Sequence, residues 1–294
     1  MKVEIERLAD GPIIRPNMDS SMGDNVNGPS LIEVPDWIPD PLGRYYLYFA
    51  HHNGSYIRLA YADRLTGPWR TYEPGVLPLT QSHFEGHIAS PDVHVDDDAQ
   101  RIRMYFHGAR TPMGRDSPQF TRAALSADGL LFHAREEILG EPYLRTFQYG
   151  DWHYAIAMPG IFYRSRDGTS DFERGPTLFD PDMRHAAVMV RAERLLVFYT
   201  QVGDVPERIL LSQIDLTQAW NHWRPSPPIV VLEPERDYEG AALELRPSVR
   251  GVAQKAVREL RDPAIFEAGD ELYLLYSVAG EKGIAIAHMR LQGV

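Results

Sequence analysis

The run Tyr45-Tyr46-Leu47-Tyr48-Phe49-Ala50 recurs in altered form four more times along the chain. The other four are Ile102-Arg103-Met104-Tyr105-Phe106-His107, Trp152-His153-Tyr154-Ala155-Ile156-Ala157, Leu195-Leu196-Val197-Phe198-Tyr199-Thr200 and Leu272-Tyr273-Leu274-Leu275-Tyr276-Ser277. Short runs rich in aromatic and β-branched residues, bounded by Gly, Pro, Asp and Asn, read as strands. Each is preceded by a short apolar stretch (residues 30–34, 92–95, 144–149, 185–191 and 264–267) and followed by a third (57–62, 121–126, 161–165, 208–214 and 283–288). Turn residues and an aromatic often come next, as in Ser126-Ala127-Asp128-Gly129 before Phe132 and Ser165-Arg166-Asp167-Gly168 before Phe172. Helical periodicity is nearly missing.

A meander of three or four strands repeated five times, with a period of about 40 to 60 residues, is the pattern of a β-propeller. We therefore expect an all-β, five-bladed β-propeller in which residues 1–294 form a single domain. A sandwich would not need five similar triplets. The last triplet leaves almost no chain for an outer strand, so the alternating segment 3–8 is expected to pair there and close the ring. Residues 233–261 are longer than compact connections usually are, and are expected to lean over the tunnel mouth.

Composition narrows the function classes. Of 294 residues, 30 are Lys or Arg and 41 Asp or Glu, a formal net charge of −11. Such a surface repels phosphate backbones and anionic lipid, so neither nucleic acid nor membrane is an expected partner. The absence of Cys removes disulfides, thiolate metal sites and cysteine nucleophiles together. No signal-peptide pattern opens the sequence and no run approaches the length of a membrane span, so a cytoplasmic location is expected.

Innermost propeller strands converge on the central tunnel, so the residues at their entries carry the chemistry. In order these are Asn27-Gly28-Pro29-Ser30, Ser90-Pro91-Asp92-Val93-His94, Tyr143-Leu144-Arg145, Arg184-His185 and Arg261-Asp262-Pro263-Ala264. Carboxylates, an amide, imidazole and guanidinium groups would meet there in one crater. His51-His52 and His83-Phe84-Glu85-Gly86-His87 add imidazoles, but the spacing is not that of the helical zinc motif, since Gly opposes a helix. Contact with sugar hydroxyls, or turn packing, is the better reading for them, and no metal or other cofactor is expected on the residues alone.

With its Asp262-Pro263-Ala264-Ile265 and Pro91-Asp92-Val93 entries and its blade rhythm, the sequence resembles the five-bladed propeller glycosidases, the group that includes glycoside hydrolase families 43, 62 and 117. The resemblance implies a base on a motif like the first and a carboxylate that tunes acidity on one like the second, and it allows a calcium ion in the tunnel. Two features depart from family 43. Its Asp-Pro motif lies in the first blade, where this chain has Asn27-Gly28-Pro29, and its acid is a Glu of the third blade, where this chain has Arg145.

His185 is one substitute acid, by similarity to family 117. Glu239 is another, because Asp237-Tyr238-Glu239-Gly240 is an acidic and aromatic cluster in the long loop. The candidate catalytic residues are thus Asp92, Asp262, Glu239 and His185. Candidate substrate contacts are Asn27, His51, His52, His94, Arg145, Arg184, Tyr238 and Arg261. Trp37 and Tyr238 are candidate sugar platforms. A rim loop at 111–119 places Arg110, Arg115 or Arg122 where an acidic sugar would be gripped.

The expected function is that of a glycoside hydrolase-like protein acting on a small carbohydrate by carboxylate acid/base chemistry. A catalytically silent sugar-binding propeller is the alternative. A protein-interaction propeller would be expected to carry Gly-His and Trp-Asp repeat signatures, which are missing.

Overall fold

A computed structural model describes residues 1–112 and 117–293. Within them lie five four-stranded antiparallel sheets. Blade I is β2 (Asn27–Glu33), β3 (Tyr45–Ala50), β4 (Tyr56–Ala62) and β5 (Arg70–Pro78), the last strand starting just after β1 (Lys2–Arg7) in chain order is complete. Blade II is β6 (Ile88–Asp96), β7 (Arg101–Ala109), β8 (Gln119–Ser126) and β9 (His133–Ala134), and blade III is β10 (Arg145–Tyr149), β11 (Trp152–Ala157), β12 (Ile161–Ser165) and β13 (Glu173–Thr177). Blade IV is β14 (Met183–Arg191), β15 (Arg194–Gln201), β16 (Ile209–Asp215) and β17 (Ile229–Leu232). Blade V takes β18 (Arg261–Ala268), β19 (Glu271–Ser277) and β20 (Ile284–Gln292) from the C-terminal end and β1 from the N-terminal end.

The aromatic runs are the second strands of the blades, and their unbroken apolar character has a packing cause. Side chains of a strand alternate between faces, and each blade is covered on both. Tyr45, Leu47 and Phe49 of β3 join Phe266, Leu275 and Ile286 of blade V, whereas Tyr46 and Tyr48 of the same strand join Met104, Phe106 and Phe132 of blade II. Similar cores lie between the other neighbouring blades.

Ring closure follows from the alternating N-terminal segment. β1 pairs antiparallel with β20 from Lys2 opposite Gln292 to Arg7 opposite Ala287. Arg7 then fastens this strand to the connection between blades IV and V. Its Nε donates to Glu239 Oε1 at 2.7 Å and its Nη2 to Glu239 Oε2 at 2.9 Å, while the Tyr276 hydroxyl donates to Glu239 Oε1 at 2.9 Å.

This contact corrects the expectation for the long connection. Glu239 is fully buried and Tyr238 packs against the core between blades IV and V, so neither reaches the crater. A buried carboxylate needs a counter-charge and donors, and Arg7, Tyr276 and the backbone N–H groups of Glu235 and Arg236 supply them at the ring seam. The later part of the connection does approach the tunnel mouth, where Arg250 and Gly251 line the crater.

Candidate functional site

Each innermost strand enters the tunnel through the same backbone distortion. Gly28 (φ 61), Ser90 (φ 51), Tyr143 (φ 65), His185 (φ 54) and Asp262 (φ 49) all occupy the left-handed region, one per blade. In four blades the ladder register breaks at this point, between Asn27 and Ser30, Ala89 and Asp92, Arg184 and Ala187, and Arg261 and Ala264. Tyr143 stands just ahead of β10. Bulges of this kind re-aim a side chain, and for residues other than Gly the conformation costs about 1–3 kcal/mol each. A strain repeated at four non-glycine positions around one opening marks a site.

The crater they surround is a cavity of about 210 Å³. Asn27 and Ser90 line it from blades I and II, Tyr143 from blade III, Arg184 and His185 from blade IV, and Asp262 from blade V. Connecting turns add His52, His87 and Glu281, and β7 and β8 add His107 and Gln119. The Tyr143 hydroxyl donates to Asp262 Oδ1 at 2.6 Å, and His185 Nε2 stands 3.8 Å from the same oxygen. Rings continue around the wall, with Tyr143 5.1 Å from His185 and 5.9 Å from His107, and His107 5.7 Å from His87.

Behind this wall lies a buried ionic network. Arg184 grips Glu207 with two N–H groups, Nε at 2.8 Å. Arg261 bonds Glu259 through Nε at 2.8 Å and Glu281 through Nη1 at 2.9 Å. Glu281 also meets His52 Nδ1 at 3.0 Å and accepts from Asn25 Nδ2 at 2.5 Å.

These surroundings push the two crater carboxyls apart. Burial raises the pKa of Asp262 and the charge of Glu281 adds to the rise, so that it stays above the ordinary value despite the Tyr143 hydrogen bond and Arg261. Burial also raises Glu281, but His52, Arg261 and Asn25 outweigh it and hold that group well below the usual carboxylate range. Environments that separate two carboxyls in this way assign one to carry a proton and the other to stay ionised. His185 and His107 are held neutral by burial, and cationic Arg184 adds to the effect on His185. A neutral imidazole at His185 positions Asp262 rather than supplying a proton as imidazolium.

Asn27, His52, Arg184, His185 and Asp262 thus meet as the entry argument expected. Asp92 and His94 do not, because the bulge gives the crater position of blade II to Ser90. They line a separate cavity of about 110 Å³ in the tunnel, together with Arg145. There Asp92 Oδ2 meets His94 Nε2 at 2.8 Å and the Thr146 N–H at 3.0 Å. Burial raises the Asp92 carboxyl, but His94, Arg145 and the Thr146 N–H together hold it below its ordinary value. Arg145 spans the tunnel, donating to the carbonyls of Ser90 at 3.1 Å and Ala186 at 3.2 Å while stacking 4.2 Å from the Tyr143 ring.

Arg261 stands behind the crater wall, and His51 accepts the Asn53 N–H in its own turn at 3.0 Å. Trp37 bonds Asp97 at 2.9 Å in the turn after β2, at the exit of that strand. Of the rim-loop residues, Gly114 and Arg115 lie outside the described residues, and Arg110 and Arg122 stack on Phe120 and Phe84.

The tunnel does not suit calcium, which takes six to eight oxygen ligands. Its one lining carboxylate, Asp92, is already hydrogen-bonded and shares the cavity with the Arg145 guanidinium. Among the described residues no three His, Cys, Asp or Glu side chains form a metal-binding group. No helix there is long and apolar enough to cross a membrane.

Comparison with known proteins now bears on this geometry. No protein-family model matches the chain. The uncharacterized protein R118 of Acanthamoeba polyphaga mimivirus is 34% identical over 299 aligned residues, covering 90% of this chain and 83% of the viral one. The chain belongs to the family of that viral protein. Its fold is that of the five-bladed propeller glycosidases. A protein described as a candidate glycoside hydrolase from Parabacteroides distasonis superposes with a TM-score of 0.68 at 13% identity, covering 99% of this chain and 98% of its own. A structure from the GH130 family of mannoside phosphorylases, which contains glycoside hydrolases that target beta-1,2 mannosidic linkages in Candida mannan, gives 0.67 at 12% identity over 96% and 93%. The GH43_1 enzyme from Xanthomonas citri complexed with xylose gives 0.64 at 12% identity over 98% and 92%.

Sequence reasoning missed four crater residues of the family member in hand. Glu281 sits in the bland turn Gly280-Glu281-Lys282-Gly283, and nothing local distinguishes it from a solvated hairpin tip. Tyr143 stood at an entry but was overshadowed by Arg145, and His87 and His107 were read as turn and strand residues. The one available signal was positional: each turn between second and third strands opens onto the same face as the entries.

Proposed function

We propose that this chain processes glycosides in the crater, with Asp262 as the proton-transfer group. The observation that carries the reading is the opposed tuning of the two lining carboxyls, Asp262 raised and Glu281 held ionised. In the reaction this supports, the glycosidic C–O bond breaks as its oxygen takes the Asp262 proton, and Glu281 steadies the positive charge that develops on the ring. Water then adds to the anomeric carbon and returns a proton to Asp262. Cavities for drug-sized ligands run from about 300 Å³, so about 210 Å³ suits a single sugar unit with the remainder of a small oligosaccharide outside. Solved neighbours of the same fold include one complexed with xylose, which agrees with a small carbohydrate ligand.

A second reading, a silent sugar-binding propeller, is favoured by one observation. Of the five equivalent left-handed positions only Asp262 bears a carboxylate. Turnover of a panel of aryl glycosides and oligosaccharides by the wild type and Asp262→Asn separates the two. Glycosidase activity lost in the variant supports the first reading, and sugar binding without turnover by the wild type supports the second.

A further inference from the structure

The cations around the crater are all engaged with acids of the same chain. Arg184 is held by Glu207, Arg250 by Asp182 at 2.9 Å, and His52 by Glu281 at 3.0 Å. Arg261 stands behind the wall between Glu259 and Glu281. Arg145 has an unpartnered Nη2, but it lines the tunnel below and not the crater. Among the described residues lining the crater, no cation is left for an incoming anion.

The remaining polar groups are uncharged. Asn27, His87 and His107 are 4%, 2% and 7% exposed, and Asn27 Oδ1, His87 Nδ1 and His107 Nδ1 have no hydrogen-bond partner among the described residues. Buried polar atoms without partners are few in native proteins and call for an explanation. Burial drives both imidazoles toward the neutral form, with His87 titrating at about 4. A neutral imidazole offers one donor and one acceptor, which matches a hydroxyl and not a carboxylate.

Resting on the glycoside reading of the crater, we infer that it selects an uncharged sugar unit and rejects carboxylated and phosphorylated ones, with Asn27, His87 and His107 as the specificity-determining wall. Small rotations of an amide and two rings bring their free polar atoms onto the hydroxyls of a seated sugar. A carboxylate on that sugar would lose its water beside Asp262 and Glu281 with no counter-charge, a costly burial.

Calorimetric titration of matched pairs tests this: glucose against glucuronate, galactose against galacturonate, mannose against mannose 6-phosphate, with xylose added. For whichever stereochemistry binds, the neutral sugar is expected to bind at least about tenfold tighter than its charged partner, the scale of one hydrogen bond to a charged group lost. His107→Phe and His87→Phe are expected to weaken the neutral sugar by about three- to tenfold, and His107→Asn, which keeps a polar atom near the Nδ1 position, to restore part of the loss. Melting curves identify the variants that remain folded. A charged sugar binding as tightly as its neutral partner overturns the inference and leaves the glycoside reading intact. Folded Phe variants with wild-type affinity likewise overturn the role of the wall. If no sugar of either kind binds, the glycoside reading itself falls.

Discussion

The Tyr143 hydroxyl and Asp262 Oδ1 meet at 2.6 Å across the crater, joining blade III to blade V past the tunnel axis. Both residues hold left-handed backbone, with φ of 65° and 49°. Neither side chain would point to the other from a regular ladder, so the two bulges exist in register with one contact. A hydroxyl donating to a carboxylate favours its charged form, and here it works against burial, which pushes the Asp262 carboxyl up.

Tyr143→Phe should therefore raise the Asp262 pKa further. A hydrogen bond to a charged group contributes about 1.5–3 kcal/mol, equivalent to about one to two pKa units. If Asp262 acts in its protonated form, activity falls as pH rises through its pKa, and the variant's alkaline limb should move to higher pH. Carbon NMR of the labelled carboxyl reads the shift without a substrate. An unchanged titration would sever Tyr143 from the tuning of Asp262.

Asp262→Asn separates function from stability. A raised carboxyl pKa means that the folded state binds the proton more tightly than the unfolded chain does. The stabilising contribution is present at low pH and is lost as pH rises through the folded value. At neutral pH the ionised group is a burden, and Asn, which tolerates left-handed backbone, removes it. We expect a loss of about 10²–10⁴ in kcat with a melting temperature at pH 7 equal to or above that of the wild type. A large fall in melting temperature would identify Asp262 as a structural residue of the bulge.

Glu239 gives the opposite pattern. Burial raises its pKa, but Arg7 and the backbone N–H groups of Glu235 and Arg236 prevail and hold it below the ordinary value. Its contribution is thus present above the unfolded pKa and is lost as pH falls through the folded one. Glu239→Ala leaves Arg7 unpaired at the seam, a loss of about 3–5 kcal/mol for a broken buried pair. Thermal melts at pH 7 should show the fall, while sugar affinity in the folded variant should equal that of the wild type. Weakened binding would return Glu239 to the site.

The propeller was legible because repetition and packing act together. Tyr45 to Ala50 must be apolar at every position to serve two inter-blade cores, and five such runs leave few alternatives. The segment around Ile5 was legible as the closing strand from its alternation alone. Entry residues were legible only to within two positions. A bulge at Ser90 moves Asp92 from crater to tunnel, and the sequence Ser90-Pro91-Asp92 carries no mark of which residue takes the left-handed conformation. The fate of Glu239 was not legible at all, since an acidic and aromatic cluster serves equally to cover a pocket or to pin a buried arginine.

Gly28 tests whether the five entries form one mechanical unit. It is the only glycine of the five, at φ 61°, and a Cβ built there would lie 2.9 Å from the Ser90 Cα, a backbone atom that cannot rotate away. Gly28→Ala therefore combines an unfavourable left-handed residue with a push on the neighbouring entry of blade II. Ala at a position with positive φ costs more than the roughly 1 kcal/mol that it would gain elsewhere by restricting the unfolded chain, and overpacking adds about 1–3 kcal/mol. Ser90 also offers its carbonyl to Arg145, which stacks on Tyr143, so the displacement passes toward the residue that tunes Asp262. The expected result is a lowered melting temperature together with a changed Asp262 titration, although Gly28 and Asp262 stand on different blades. A variant that loses stability but keeps the wild-type titration of Asp262 would show that the entries move independently.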